Sequence, residues 1–238
     1  MESKALLGAH HRDLSMTKRT RVTRRSALQS LCLGTLGWAT ACASTEEVQR
    51  EPVLTFDAAL SPVYNRGRPP TGFLEELVAW ARGADDTIFA VNDRYDVYSS
   101  IHGVLGPWSG LNHRKAAMLE TLRVLGGFES SWDWQAGRDR SNPSSVAPCT
   151  MEAGIFQCSG DSMAFDRSLR LLLQRHSEGL ADCVTFRETT RADHAFAIEY
   201  CARLLRFTTR HHGPILRREI HAWLRRDAVR EFEGLLQG

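Results

Sequence analysis

A chain of 238 residues with 42% hydrophobic and 24% charged residues suits one medium domain plus a tail, and is too apolar to be disordered throughout. Its formal charge of +2 is unevenly placed: residues 1–41 hold seven Lys/Arg against two acids, leaving 23 basic and 26 acidic groups, a net of −3, on the rest. The basic excess belongs to the leader, which removes the electrostatic case for a nucleic-acid partner.

In that leader Arg24-Arg25 precede a weakly apolar run, SALQSLCLGTLGWATA, from Ser26 to Ala41. The run is too short and too polar to span a bilayer, which needs roughly 20 apolar residues, but it suits an export signal. TRRSALQ resembles a twin-arginine motif, and ATAC at 39–42 resembles a lipoprotein cleavage box with Cys42 as the lipidated residue, although Ala39 stands where Leu or Val is usual. This implies an exported, periplasmic or cell-envelope lipoprotein held on the membrane through Cys42. A simple cleaved signal or an uncleaved anchor is the alternative, and Met16 competes with Met1 as the start.

The expected organisation is a signal at 1–41, a polar, proline-bearing tether at 42–71 with a short ordered piece near Val53 to Phe56, and one domain at 72–238. Thr71 is placed to cap a helix over Gly72 to Arg82, with Phe73, Leu74, Leu77, Val78 and Ala81 on one stripe and Gly83 as its stop. A short helix near Tyr95–Val104 follows. Asn112 then opens a longer helix whose apolar face, Ala116 to Leu125, runs to Gly126-Gly127. Residues 132–158 carry turn chemistry and the strand-like AGIFQC. Helical periodicity returns over 161–177, 191–209 and 214–236. The fold class is mostly α (α+β), with one small β excursion.

Beyond Cys32 and Cys42, the chain has Cys149, Cys158, Cys183 and Cys201. An even set in an oxidising compartment predicts two disulfides, with three pairings open. No CxxC pair or zinc-type Cys/His spacing occurs, so neither a metal nor a cofactor is expected. His194, His211, His212 and His221 fall on predicted helices without HExxH spacing, and no GxSxG elbow occurs. RHHGPILRREIHAWLRR reads as a solvated C-terminal helix.

Residues 128–140, FESSWDWQAGRDR, concentrate the candidate chemistry. Glu129 follows the long apolar helix, and Phe128, Trp132 and Trp134 can wall it off from water, as a general acid requires. Glycoside cleavage usually needs a second carboxylate. Asp139, between Arg138 and Arg140, and Glu152, at the start of the strand-like piece, are both candidates. Gln157 and the Ser130–Ser131 hydroxyls are candidate hydrogen-bond partners for a sugar or a water. Each has a plainer alternative: a solvated helix-end Glu129, an Asp139 ion pair, a strand-edge Glu152 and core tryptophans.

The order helix, Gly-Gly-Phe128-Glu129-Ser130, turn-rich insertion, then Glu152-Ala153-Gly154-Ile155-Phe156-Gln157 resembles the lysozyme-like superfamily. It is most similar to the soluble lytic transglycosylases and goose-type lysozymes. The resemblance covers roughly residues 112–210 and implies a lysozyme-like helical domain cleaving the β-1,4 backbone of peptidoglycan, or of a chitin-like glycan. It assigns Glu129 as general acid, Asp139 or Glu152 as the second carboxylate, and Ser130, Trp132, Gln157 and Tyr200 as substrate-binding. Tyr200 lacks the Asn and Gly that usually precede its counterpart, and the insertion is longer and more polar than the family's. An exported lipoprotein that keeps the fold only to bind glycan or a protein is the alternative.

Overall fold

The computed structural model describes residues 54–237. Eight helices and a two-stranded hairpin make a mostly α domain: α1 (Thr71–Gly83), α2 (Val97–Leu105), α3 (Leu111–Ser130), β1 (Glu152–Ala153), β2 (Cys158–Ser159), α4 (Arg167–His176), α5 (Cys183–Ala192), α6 (His194–Phe207), α7 (Gly213–Leu216) and α8 (Arg226–Leu235). No helix among the described residues is long and apolar enough to cross a membrane.

The 20-residue α3 is the axis. Every residue from Ala116 to Gly127 is buried, so this helix is enclosed on all sides rather than amphipathic. It packs against α8, α1 and α6, and α6 in turn packs against α4 and α5. Two polar side chains ride inside on α3: Arg123 donates to both Glu120 carboxylate oxygens at 2.6 and 2.7 Å, and both side chains are fully buried. Arg123 also donates to the carbonyls of Ser61 and Trp223, and Glu120 accepts the Arg225 N–H at 2.8 Å. One ion pair therefore ties the N-terminal segment and the approach to α8 onto the central helix. A second buried pair, Arg206 to Asp96 at 2.6 Å, fixes the start of α2, where Asp96 and Ser99 form a capping box.

Four expectations change. Residues 54–70, expected as the far part of a tether, pack onto the domain: Ala59 and Val63 are fully buried, and the N–H groups of Asp57 and Ala59 reach Glu231 on α8 at 2.5 and 2.7 Å. Buried apolar residues spaced too irregularly for a helix explain why no period showed. Second, α3 starts at Leu111 with Gly110 as its cap, and it runs through the glycine pair instead of stopping there. A Cβ on Gly127 would lie 2.7 Å from the Trp132 ring and one on Gly126 3.1 Å from it, so these glycines admit a tryptophan rather than end a helix. Third, α5 is a separate helix capped by Asp182, whose carboxylate accepts the Val184 and Thr185 N–H groups. Fourth, the C-terminal helix expected over 214–236 is broken into α7, a single-turn 3-10 helix over Glu219–Ala222 and α8, with His211 and His212 in the turn before it.

The hairpin pairs Glu152 with Ser159 and Ala153 with Cys158. Its turn uses Gly154 at φ +70, where a Cβ would meet Thr190 of α5 at 2.7 Å. Cys149 and Cys183 form a disulfide joining the 131–151 loop to the start of α5, whereas Cys158 and Cys201 are buried free thiols. One of the two expected disulfides is thus present.

Candidate active site

Glu129 sits in the last turn of α3, and the backbone beyond it is unusual. Ser131 and Trp132 both adopt left-handed φ values, 57° and 61°, strained for residues with a side chain. Two anchors hold them: the Ser131 and Trp132 N–H groups return to the Gly127 and Gly126 carbonyls at 3.1 Å, and the Trp132 indole N–H donates to the Arg123 carbonyl at 2.9 Å. Ser130 adds a lateral tie. Its hydroxyl donates to the Ile155 carbonyl at 2.8 Å and accepts the Asp133 N–H at 3.0 Å, so the hairpin turn fixes the end of the helix.

Glu129 thereby faces a cleft of about 780 Å³, within the range of small-ligand sites. Tyr64, Phe128 and Trp223 give it an aromatic wall: Tyr64 stacks on Phe128 at 5.5 Å and meets Trp223 edge-on at 6.0 Å. Arg66, Asp139, Ser141, Pro214, Arg217 and Glu219 complete the lining, and Arg217 is paired with Glu219 at 2.7 Å. The Ser141 hydroxyl and N–H donate to the Asp139 carboxylate at 2.6 and 2.8 Å, which holds its pKa below the usual carboxylate range. The same cleft is therefore lined by an ionised carboxylate and by the half-buried Glu129, whose side chain is 17% exposed.

Behind Glu129 lies a second cluster. His212 Nδ1–H donates to Glu129 Oε1 at 3.2 Å, and its Nε2 lies 3.8 Å from both Cys158 Sγ and Cys201 Sγ. Burial alone would depress His212, but its hydrogen bonds with Cys158 and Glu129 outweigh that and hold its pKa up at about 10. Hydrogen bonding from Cys201, His211 and His212 pulls the Cys158 thiol down against the opposing effect of burial. Among the described residues, Cys158, His211 and His212 form the group whose ligand atoms are close enough to share a metal ion.

No family model, curated protein or solved structure matches this chain. What the site can do therefore rests on its own geometry.

Of the residues singled out in the sequence, Phe128, Glu129 and Asp139 line the cleft. Glu152 is absent from its lining: Asn142 Nδ2 donates to it at 2.7 Å and the Ser145 hydroxyl donates to its other oxygen, which pins the insertion loop. Trp132 is only 5% exposed and serves as the core anchor described above, not a sugar platform. Tyr200 is buried on α6, with its hydroxyl on Ser162 at 2.7 Å. Gln157 turns its amide back onto the Gly154 carbonyl at 2.9 Å and closes the hairpin turn. Ser130 positions Glu129 through Ile155. Cys42 and the leader lie outside the described residues.

Among the cleft residues missed by sequence reasoning are Tyr64, Arg66, Arg217, Glu219 and Trp223, together with His212 behind Glu129. They come from segments far from residues 128–157, and only the exposed aromatic in the supposed tether, Tyr64, gave a local hint.

Proposed function

We propose that the chain is an exported, lysozyme-like glycosidase that cuts the β-1,4 backbone of peptidoglycan. One observation carries the reading: Glu129 and Asp139 line a single aromatic-walled cleft, although they stand on a helix end and on a loop. Glu129 protonates the glycosidic oxygen, a role typically contributing about 10²–10⁴ in rate. His212 orients one of its carboxyl oxygens and leaves the other for the substrate. Tyr64, Phe128 and Trp223 offer flat apolar faces to the sugar rings. Asp139, kept ionised by Ser141, is the second carboxylate that stabilises an oxocarbenium-like transition state or places a water. Glu152, occupied by Asn142 and Ser145, is released from that role. The leader supports export and anchoring through Cys42, with residues 43–53 as the remaining spacer.

Purified residues 43–238 should clear a suspension of cell-wall sacculi, and Glu129→Gln should lower the rate about 10²-fold or more. Sacculi left intact, or a Glu129→Gln protein as active as the parent, would overturn the assignment. Mass analysis of the products separates two chemistries. Reducing ends lost in Asp139→Asn mark a muramidase. Anhydro-muramyl ends that persist in Asp139→Asn mark a lytic transglycosylase, in which the substrate's own N-acetyl and 6-hydroxyl groups replace the second carboxylate.

A second reading rests on His212. A hydrogen bond to the ionised form of a carboxylate opposes its use as an acid, which favours an exported protein that binds glycan without cutting it. Sacculus binding that survives Glu129→Gln, with no product from the parent, would establish that reading.

A further inference from the structure

The cluster behind Glu129 has a chemistry that glycan cleavage does not use. Cys158 comes from β2, Cys201 from the middle of α6, and His211 and His212 from the turn after α6, so the fold brings together four soft or borderline ligands from three separated segments. Both thiols lie 3.8 Å from the same imidazole nitrogen, and no bond joins them. A tetrahedral zinc ion, with Zn–S near 2.3 Å and Zn–N near 2.0–2.1 Å, holds a sulfur and a nitrogen about 3.6 Å apart. The ligand atoms of Cys158, His211 and His212 all lie within 4.8 Å of one another. Cys201 Sγ stands outside that group but lies 3.8 Å from His212 Nε2, which makes it the candidate for the fourth position.

We propose that Cys158, Cys201, His211 and His212 form a structural Cys₂His₂ site for a zinc-class divalent cation, with Glu129 as the carboxylate that orients His212. Binding the ion releases the thiol protons to solvent. Two thiolates then neutralise the dication, so no net charge is left in a pocket where Cys158, Cys201 and His212 are all buried. The His212 geometry fits independently. A metal-bound histidine almost always donates its other ring N–H to a carboxylate or carbonyl, and here Nδ1–H is on Glu129 while Nε2 faces both sulfurs. The ion fixes His212 as neutral imidazole and joins β2, α6 and the α6–α7 turn. This assignment holds whether or not the cleft cleaves glycan, because it is read from metal content and not from activity.

The test is metal analysis of the full chain purified without chelator, and again after demetallation and reconstitution with zinc. Zinc should bind stoichiometrically. Cobalt in its place should show the intense visible bands of a tetrahedral ion and thiolate-to-metal charge transfer. Cys158→Ser and Cys201→Ser should abolish the charge-transfer band or fail to fold. His211→Ala, at a half-buried turn position, should keep the far-ultraviolet dichroism of the parent and lose most of the affinity, and Glu129→Ala should weaken zinc by about 10–100-fold as an orienting partner does. The proposal is overturned by a native Cys158–Cys201 disulfide, by substoichiometric metal with both thiols titratable, or by unchanged affinity in His211→Ala.

Discussion

Helix α3 carries two inward-turned carboxylates, Glu120 and Glu129, and the protein treats them in opposite ways. Glu120 is wholly enclosed, and protein donors meet both its oxygens: the guanidinium of Arg123 and the N–H of Arg225. Glu129, at the end of the same helix, accepts one hydrogen bond among the described residues and opens onto a cleft. A carboxylate whose hydrogen-bonding capacity is filled by its own chain holds the structure together. One left partly unfilled beside a cavity is available to something else. That contrast marks Glu129 more sharply than its place in the sequence does.

The first way to break the comparison is to unpair Glu120. Arg123→Met should destabilise the domain by about 3–5 kcal/mol, because it leaves a buried charge alone. Glu129→Gln should shift the urea midpoint less, since the Gln amide oxygen can still accept the hydrogen bond from the buried His212. Equal losses in the two urea titrations would erase the distinction. The link between the two ends of α3 is next in size. Gly127→Ala drives a methyl group into Trp132 and should cost about 1–3 kcal/mol. Because Trp132 anchors the turn after Glu129, sacculus clearance should fall as well; a drop in melting temperature with undiminished clearance would show that Glu129 does not depend on that anchor.

Ser130→Ala removes the tie to the Ile155 carbonyl and should cost about 1 kcal/mol. Its signature is a larger loss in clearance rate than in stability, read from kinetics and melting of the same sample. Smallest is a control remote from the cleft. The Asp166 side chain and its Ser168 hydrogen bonds cap α4, and they hold its pKa below the usual carboxylate range. A depressed carboxylate stabilises the fold above its unfolded pKa, and the contribution is lost as pH falls through the folded value. Asp166→Ala should therefore cost about 1 kcal/mol at neutral pH and progressively less in acid, as read from denaturation across pH.

Much of the helical framework was legible because it rests on local spacing. The stripe Phe73, Leu74, Leu77, Val78, Ala81 specifies α1 without reference to anything else, and the Ala116–Leu125 run specifies the body of α3. What was not legible depends on distant partners. Gly126-Gly127 looks like a helix stop unless the position of the Trp132 ring is known. Tyr64 and Trp223 join one cleft wall from opposite ends of the chain. Cys158, Cys201 and His212 converge from three segments, so no spacing pattern for metal ligands could register. Trp132 and Tyr200 erred the other way: their residue types suit sugar binding, but their indole and hydroxyl are spent inside the core.

The clasp between Asp57, Ala59 and Glu231 has a mechanical consequence. Tension applied to the chain upstream of residue 57 would load those two hydrogen bonds to α8 before it reached Tyr64. On the reading proposed above, the clasp separates the point where the protein is held from the point where it grips the glycan.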